Sequence, residues 1–221
     1  SLLNCRSLTE RTMPPRPVGS IAALSCLLGL ALVTGCNSRP AALKPPSFDP
    51  GKAAAAAISK YDSDGNGQLE QGEWQICPAL AGSIEVYDTD GNKTLSAEEI
   101  TTGITRWQKG EMGARPLPFQ VKLGGKPLEG AEVKLVPEDF FGGAIKQATG
   151  TSGPGGRGYL GVAPEELPGN KTSLPLTQPG LYRVEITHPS VKIPAKYNSE
   201  TTLGIEVADG QINPRGIVWE L

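Results

Sequence analysis

Histidine is almost missing from these 221 residues, since His188 is the only one. A histidine-bound zinc site or a Ser-His-Asp relay would have to be built on that residue. Pro189 follows it directly, which marks a turn at a strand end rather than the wall of a catalytic cleft. Methionine is nearly as scarce, with two residues, which excludes a Met-rich groove that opens on ion binding. Aromatics make up 5%, and Trp74, Trp107 and Trp219 fall in apolar patterns that read as core rather than as a sugar-stacking platform. Neither sign of charge dominates, at 21 basic against 23 acidic side chains, so no basic field argues for nucleic acid. The adjacent acid pairs Glu165-Glu166 and Glu138-Asp139 imply no substrate cleft, and the chain is not read as an enzyme.

Glycine and proline are what the chain has in excess, 28 and 20 residues. That is roughly twice the usual combined share. It is too much for a mostly helical bundle, and no Gly-x-y period points to collagen. Hydrophobic residues, at 38%, are too many for wholesale disorder. Eighteen of the glycines and twelve of the prolines fall at or after Gly110, so the two halves differ in kind.

Residues 1–36 read as an address. Residues 18–35, VGSIAALSCLLGLALVTG, form an uncharged apolar run preceded by Met13 and Arg16, as in a secretory signal. Met13 is the expected initiator, with residues 1–12 upstream of it. The end, Val33-Thr34-Gly35-Cys36, resembles the bacterial lipobox (33–36), which implies lipidation of Cys36 and a mature chain that begins there. A membrane-spanning anchor is the competing reading, for which the run is barely long enough. Cys36 and the Pro-rich exit favour the lipid. Residues 37–50, NSRPAALKPPSFDP, then read as a semi-extended tether. Cys5 and Cys26 leave with the signal, so Cys77 is a lone thiol at a packed helix end, without a disulfide partner.

Residues 62–73, DSDGNGQLEQGE, carry the EF-hand calcium-loop pattern: Asp62, Asp64 and Asn66 at positions one, three and five, Gly67 at six, the Gln68 carbonyl at seven and Glu73 at twelve. Alternate side-chain oxygens in a tight turn converge on one point, and the final glutamate returns from a helix. Residues 88–99, DTDGNKTLSAEE, repeat the pattern with Asp88, Asp90, Asn92, the Thr94 carbonyl and Glu99. Lys93 stands where the first loop has Gly67. That position calls for positive φ, at a cost on the order of 1 kcal/mol for a non-glycine residue, so the second site is expected to be the weaker. Four of the seven aspartates of the chain occupy these loops.

The flanks repeat too. Ile58 and Tyr61 precede the first loop as Ile84 and Tyr87 precede the second, and Trp74 and Ile100 follow the two final glutamates. Ser96 and Glu99 read as a capping box. Leu69 and Leu95, at position eight, can join the loops through a two-stranded ribbon. The link Trp74–Tyr87 is short, with one helix expected to end near Ile76 and the next to run from about Pro78 to Tyr87. So compact a link favours a structural or constitutive site over a switch.

Beyond Lys109 the apolar period becomes two, in FQVKL (119–123), AEVKLV (131–136), LYRVEITH (181–188), LGIEV (203–207) and GIVWEL (216–221), with Gly124-Gly125-Lys126-Pro127 as a hairpin turn. Such runs indicate an antiparallel sandwich. VKLGGKPLEGAEVKLVPE (121–138), YRVEITHP (182–189) and IPAKYNSETTLGIEV (193–207) resemble the carboxypeptidase-regulatory-like, transthyretin-like β-sandwich of bacterial lipoproteins. The likeness extends over about 50–221, including the EF-hand pair. Where that family often carries Thr-Asp-x-x-Gly, this chain reads Thr151-Ser152-Gly153-Pro154-Gly155-Gly156, so any role of that aspartate is absent.

The expectation is an α+β protein of two domains: an all-α EF-hand pair (51–110) followed by an antiparallel, transthyretin-like β-sandwich (116–221). It is expected to bind up to two Ca2+ ions in a structural role and to sit in the bacterial cell envelope through lipid on Cys36. A protein or polysaccharide partner is expected for the sandwich. The competing expectations are a calcium-responsive signalling protein and an envelope carbohydrate-active enzyme.

Overall fold

Two alanine- and isoleucine-faced helices and a long run of short strands arise where the sequence changes period. The structure, a computed structural model, describes residues 43–221 apart from 111, 112, 168, 171, 211 and 214. The signal-like segment, the lipobox with Cys36 and the first residues of the tether lie outside the described residues. Helix α1 (Pro50–Tyr61) starts where Asp49 Oδ1 accepts the N–H groups of Gly51 and Lys52 at 2.9 and 3.1 Å, with Pro50 in the first turn. It leads into β1 (Gln68–Leu69), α2 (Gln71–Trp74), α3 (Pro78–Ala81), α4 (Ile84–Tyr87) and β2 (Leu95–Ser96). Helix α5 (Ala97–Gln108) opens on the Ser96/Glu99 capping box and buries Ile100, Ile104 and Trp107. The small side chains of Ala53, Ala54 and Ala57 let α1 lie close against it.

The remaining strands are β3 (Leu117–Leu123), β4 (Lys126–Pro127), β5 (Glu132–Pro137), β6 (Ala148–Thr151), β7 (Arg157–Val162), β8 (Gly180–Thr187), β9 (Gly204–Val207) and β10 (Ile217–Glu220). They form one curled sheet in the order β10-β3-β7-β6-β5-β8-β9, with β4 hairpinned onto β3 through Gly124 and Gly125, both at positive φ. Neighbours are antiparallel except β10, which returns parallel to β3 with Ile217 opposite Phe119. Alternate residues such as Phe119, Val121, Val133, Leu135, Val184 and Ile186 fill the inside of the curl.

At one end the alternation stops. Leu181 and Tyr182 are neighbours on β8, so they point to opposite faces, yet both are fully buried. The reason is that α3 lies on β8 and β9. A Cβ on Gly204 would fall 1.8 Å from the Pro78 carbonyl oxygen, and one on Gly82 would fall 2.4 Å from that of Gly204. Backbone therefore meets backbone, a contact only glycine permits. The described residues form one compact unit.

These observations correct the expected fold class. The described chain is mostly β, and no all-α EF-hand domain stands apart from it. Among the described residues only α1 and α5 exceed a single turn, while α2, α3 and α4 have four residues each. The link between the loops breaks at Cys77, which is extended before Pro78, and again at Gly82–Ser83, so the expected continuous helix 78–87 is two fragments. Fragments that short cannot bury a core among themselves; α3 lies on β8 and β9, and α2 and α4 pack against α3. The sheet is likewise one curled layer rather than two stacked ones.

The junction is aromatic and ionic. Phe48 packs edge-on against Phe141 at 5.1 Å and lies 5.8 Å from Trp107. Arg106 Nη2 on α5 donates to both carboxylate oxygens of Glu206 on β9, at 2.8 and 2.7 Å, and Tyr87 Oη donates to the same group at 2.9 Å. The last tether residues are held as well, with Gln108 Nε2 donating to the Phe48 carbonyl at 2.8 Å.

Candidate metal centre

Each acidic loop turns back on itself because its first aspartate collects backbone N–H groups. Asp62 Oδ1 accepts from Gly65 at 2.7 Å and its Oδ2 from Gly67 at 2.8 Å. Asp88 repeats this, accepting from Gly91 at 2.8 Å and from Lys93 at 2.9 Å. Gly67 takes φ 85°, and Lys93 takes φ 67°, the only non-glycine residue at positive φ among the described residues. The second loop thus has the same shape as the first with a side chain in a strained conformation. Asp64 Oδ1 and Asp90 Oδ1 accept from the N–H groups of Asn66 and Asn92 at 3.1 and 3.0 Å.

The final glutamates return from α2 and α5. Glu73 Oε1 accepts from the Ser63 N–H at 2.7 Å and the Ser63 hydroxyl at 2.8 Å, and Oε2 accepts from the Glu70 N–H at 3.0 Å. Hydrogen bonds from Ser63, and then from Glu70, hold the Glu73 carboxyl down to about 2. Glu99 is bound the same way, with Oε1 accepting from Thr89 N–H at 2.9 Å and Oε2 from Ser96 N–H at 2.9 Å. Burial acts to raise the Glu99 carboxyl, and the donors of Ser96 and Thr89 together outweigh it, leaving it below the usual glutamate range.

The result is two acidic triads. One carboxylate oxygen from each of Asp62, Asp64 and Glu73 lies within 4.8 Å of the others, and the same holds for Asp88, Asp90 and Glu99. None of the six forms an ion pair with a lysine or arginine among the described residues. Three anions at that separation repel one another, and backbone dipoles offset this only in part. The donor set is all oxygen, which suits a hard cation and not a soft one. Asn66 and Asn92 sit beside the triads with their amide nitrogens on Asp64 Oδ2 and Asp90 Oδ2, at 3.0 and 2.8 Å. Their oxygens accept from the N–H groups of Gln68 and Thr94 at 2.8 and 2.7 Å. Gln68 and Thr94 follow at the ribbon, where their carbonyls were expected to serve.

The two loops are joined. β1 pairs antiparallel with β2, Leu69 opposite Leu95, both fully buried. Thr94 Oγ1 donates to Gln68 Oε1 at 2.9 Å, and Trp74 Nε1 donates to the Lys93 carbonyl at 3.2 Å. Ser63 and Thr89, which fix the glutamates, were not singled out in the sequence, although a hydroxyl residue at the second position of both loops was a readable signal. Behind the first loop, Glu138 is buried with Oε2 near the Tyr61 hydroxyl, at 3.3 Å, and Oε1 without a partner. Burial raises the Glu138 carboxyl, and it pushes the buried Cys77 thiol up to about 12. His188 serves a turn: its Nδ1 accepts the N–H groups of Ser190 and Val191, both at 3.0 Å, so Nε2 carries the proton and donates to the Glu129 carbonyl at 2.9 Å.

No protein-family model, curated protein or solved structure matches this chain. The likeness to EF-hand lipoproteins therefore stands on the motifs alone. Among the described residues, no helix is long and apolar enough to cross a membrane.

Proposed function

We propose that the chain binds two calcium ions, one at Asp62, Asp64, Asn66, Gln68 and Glu73 and one at Asp88, Asp90, Asn92, Thr94 and Glu99, and that they act as fixed structural parts. The observation that carries this reading is the pair of in-phase triads, each gathering three carboxylates, none of them in a salt bridge with a lysine or arginine among the described residues. Calcium favours six to eight oxygen ligands in a flexible shell, which carboxylates, amide oxygens and a loop carbonyl can supply. Backbone N–H groups hold the carboxylates in place, and the ribbon ties the loops, so binding needs little rearrangement. That supports a constitutive role over a switch. Because α1, α3 and α5 rest on each other or on the sheet, ions that fasten the loops also fasten the helical layer. Lipid on Cys36 and a place in the cell envelope remain part of this proposal; no catalytic step belongs to it.

Calorimetric titration of the full chain with calcium is the test. Two ions should bind, one of them lost in Asp62→Ala and the other in Asp88→Ala. No heat from calcium, or an unchanged stoichiometry in Asp62→Ala, would overturn the assignment.

A further inference from the structure

The outer face of the sheet carries a second feature, far in character from the acidic loops. Across β10, β3 and β7 runs an open groove of about 620 Å³. The register builds it in two rows. Tyr159 lies opposite Pro118, and in the next row Val218, Gln120 and Arg157 lie side by side. Tyr159 and Val218 are 53% and 54% exposed, two of the four large apolar side chains that stand out in solvent among the described residues. Arg157 borders the groove at one side and Arg215 at the other. Both arginines are exposed, and neither has an acidic partner among the described residues.

Among the described residues, no carboxylate lines the groove. Glu220, further along β10, is turned to other work: its Oε1 accepts from the Gly125 N–H at 2.6 Å and its Oε2 lies 3.8 Å from Lys122 Nζ. In a chain whose net charge is −2, this is a local cationic site. Its floor is firm. Phe119 and Trp219, both buried, pack beneath it with ring centres 5.9 Å apart. Gly158, between Arg157 and Tyr159, faces inward, where a Cβ would fall 2.7 Å from the Phe119 ring, so its lack of a side chain lets that ring pack under the groove. Gln120 Nε2 donates to the Gly155 carbonyl at 2.8 Å, which fixes the amide and leaves its oxygen to accept from a ligand.

We propose that this groove binds a carboxylate-bearing glycan. The apolar C–H face of a sugar ring lies on Tyr159, ring carboxylates meet the guanidinium forks of Arg157 and Arg215, and hydroxyls donate to Gln120. A glycan is favoured over an acidic peptide by direction. The groove crosses three strands, about 10 Å at the usual strand spacing, rather than following the edge of β10. A peptide lying there cannot use main-chain pairing with a sheet edge, the usual source of its affinity. A glycan brings its own hydroxyls at every ring. The site is independent of the calcium assignment and stands or falls separately.

The test is calorimetry of the full chain with short galacturonic acid oligomers. A neutral oligomer of glucose and a poly-glutamate peptide of similar length serve as the comparison ligands. The expected result is binding of the galacturonate oligomer only, weakened by added salt. Arg157→Gln with Arg215→Gln should reduce affinity at least about tenfold, Tyr159→Ala should reduce it several-fold, and Arg157→Lys should lose part of it, because a point charge replaces the fork. Near-ultraviolet circular dichroism checks that these surface variants keep the fold. Absence of galacturonate binding, equal binding of the neutral oligomer, or full affinity in the double arginine variant would overturn the proposal. Equal or tighter binding of poly-glutamate would also overturn it, in favour of an acidic peptide.

Discussion

Arg106→Met isolates the bond between the helical layer and the sheet. In the native protein the Glu206 side chain is 4% exposed and Arg106 is 40% exposed, with both carboxylate oxygens held by one guanidinium nitrogen. Removing the guanidinium leaves a buried carboxylate with Tyr87 as its remaining donor. Breaking a buried pair from one side costs about 3–5 kcal/mol. Water can reach the vacated arginine position, so solvent screening discounts this to about 2 kcal/mol. For a chain of this size that is a fall in Tm of about 4–8 °C. Urea unfolding, followed by circular dichroism and by tryptophan emission, measures it. Trp74 and Trp107 report the helices and Trp219 the sheet, and the signals should move together. The pH dependence gives a second check. Burial raises the Glu206 carboxyl, against the lowering effects of Arg106 and Tyr87. A folded state with a raised carboxyl binds its proton more tightly than the unfolded chain, so stability falls as pH rises through that raised value. Without Arg106 the rise is greater. The deficit of the variant should therefore shrink as pH is lowered towards the ordinary glutamate range, where Glu206 becomes neutral. Arg106→Met with Glu206→Gln should recover most of the loss. A loss under about 0.5 kcal/mol at neutral pH, or one unchanged by acid, would refute the reasoning.

Lys93→Gly removes about 1 kcal/mol of left-handed strain that the loop carries before any ion binds, so denaturant unfolding should show the variant more stable by about that amount. Loss of the ammonium should tighten the second site in calorimetry; an unchanged stability and an unchanged affinity gap would contradict the account of Lys93. Glu138→Gln removes a buried charge whose Oε1 has no partner. Since burial raises this carboxyl, wild-type stability should decline as pH rises above the ordinary glutamate range, and the variant should be about 1 kcal/mol more stable at neutral pH with a flatter profile. Denaturant curves at several pH values check this, and a destabilised variant would sink it. Cys77 is fully buried with its thiol pushed up to about 12, so a disulfide reagent should not label it in native protein at neutral pH, and labelling should follow the unfolding curve.

Local features were legible and distant ones were not. The positive φ of Lys93, the Leu69–Leu95 ribbon, the Gly124–Gly125 hairpin and the position of most strands follow from spacing and turn chemistry within a few residues. The pairing of β10 with β3 joins residues at opposite ends of the second half, and period-two alternation carries no record of which strand meets which. The same alternation arises in one curled layer as in two stacked ones, hence the expected sandwich. Gly82 and Gly204 look like ordinary turn residues, and only the structure reveals that they let α3 touch β9. That contact is what turns an expected separate helical domain into a layer on the sheet. For the groove, nothing in the sequence marks Arg157 and Tyr159 as neighbours of Arg215, which joins them only through the parallel return of β10 beside β3.

Thermal unfolding of the full chain in calcium, in magnesium and with chelator tests the central claim most directly. With extracellular-type affinities of about 10⁻⁴–10⁻³ M, 10 mM calcium should add on the order of 1–3 kcal/mol per site by mass action. The expected result is one transition, seen alike by helical and tryptophan signals, that moves up by several degrees in calcium and much less in magnesium. A midpoint unmoved by calcium, or a calcium-dependent helical transition detached from a calcium-independent sheet, would contradict it.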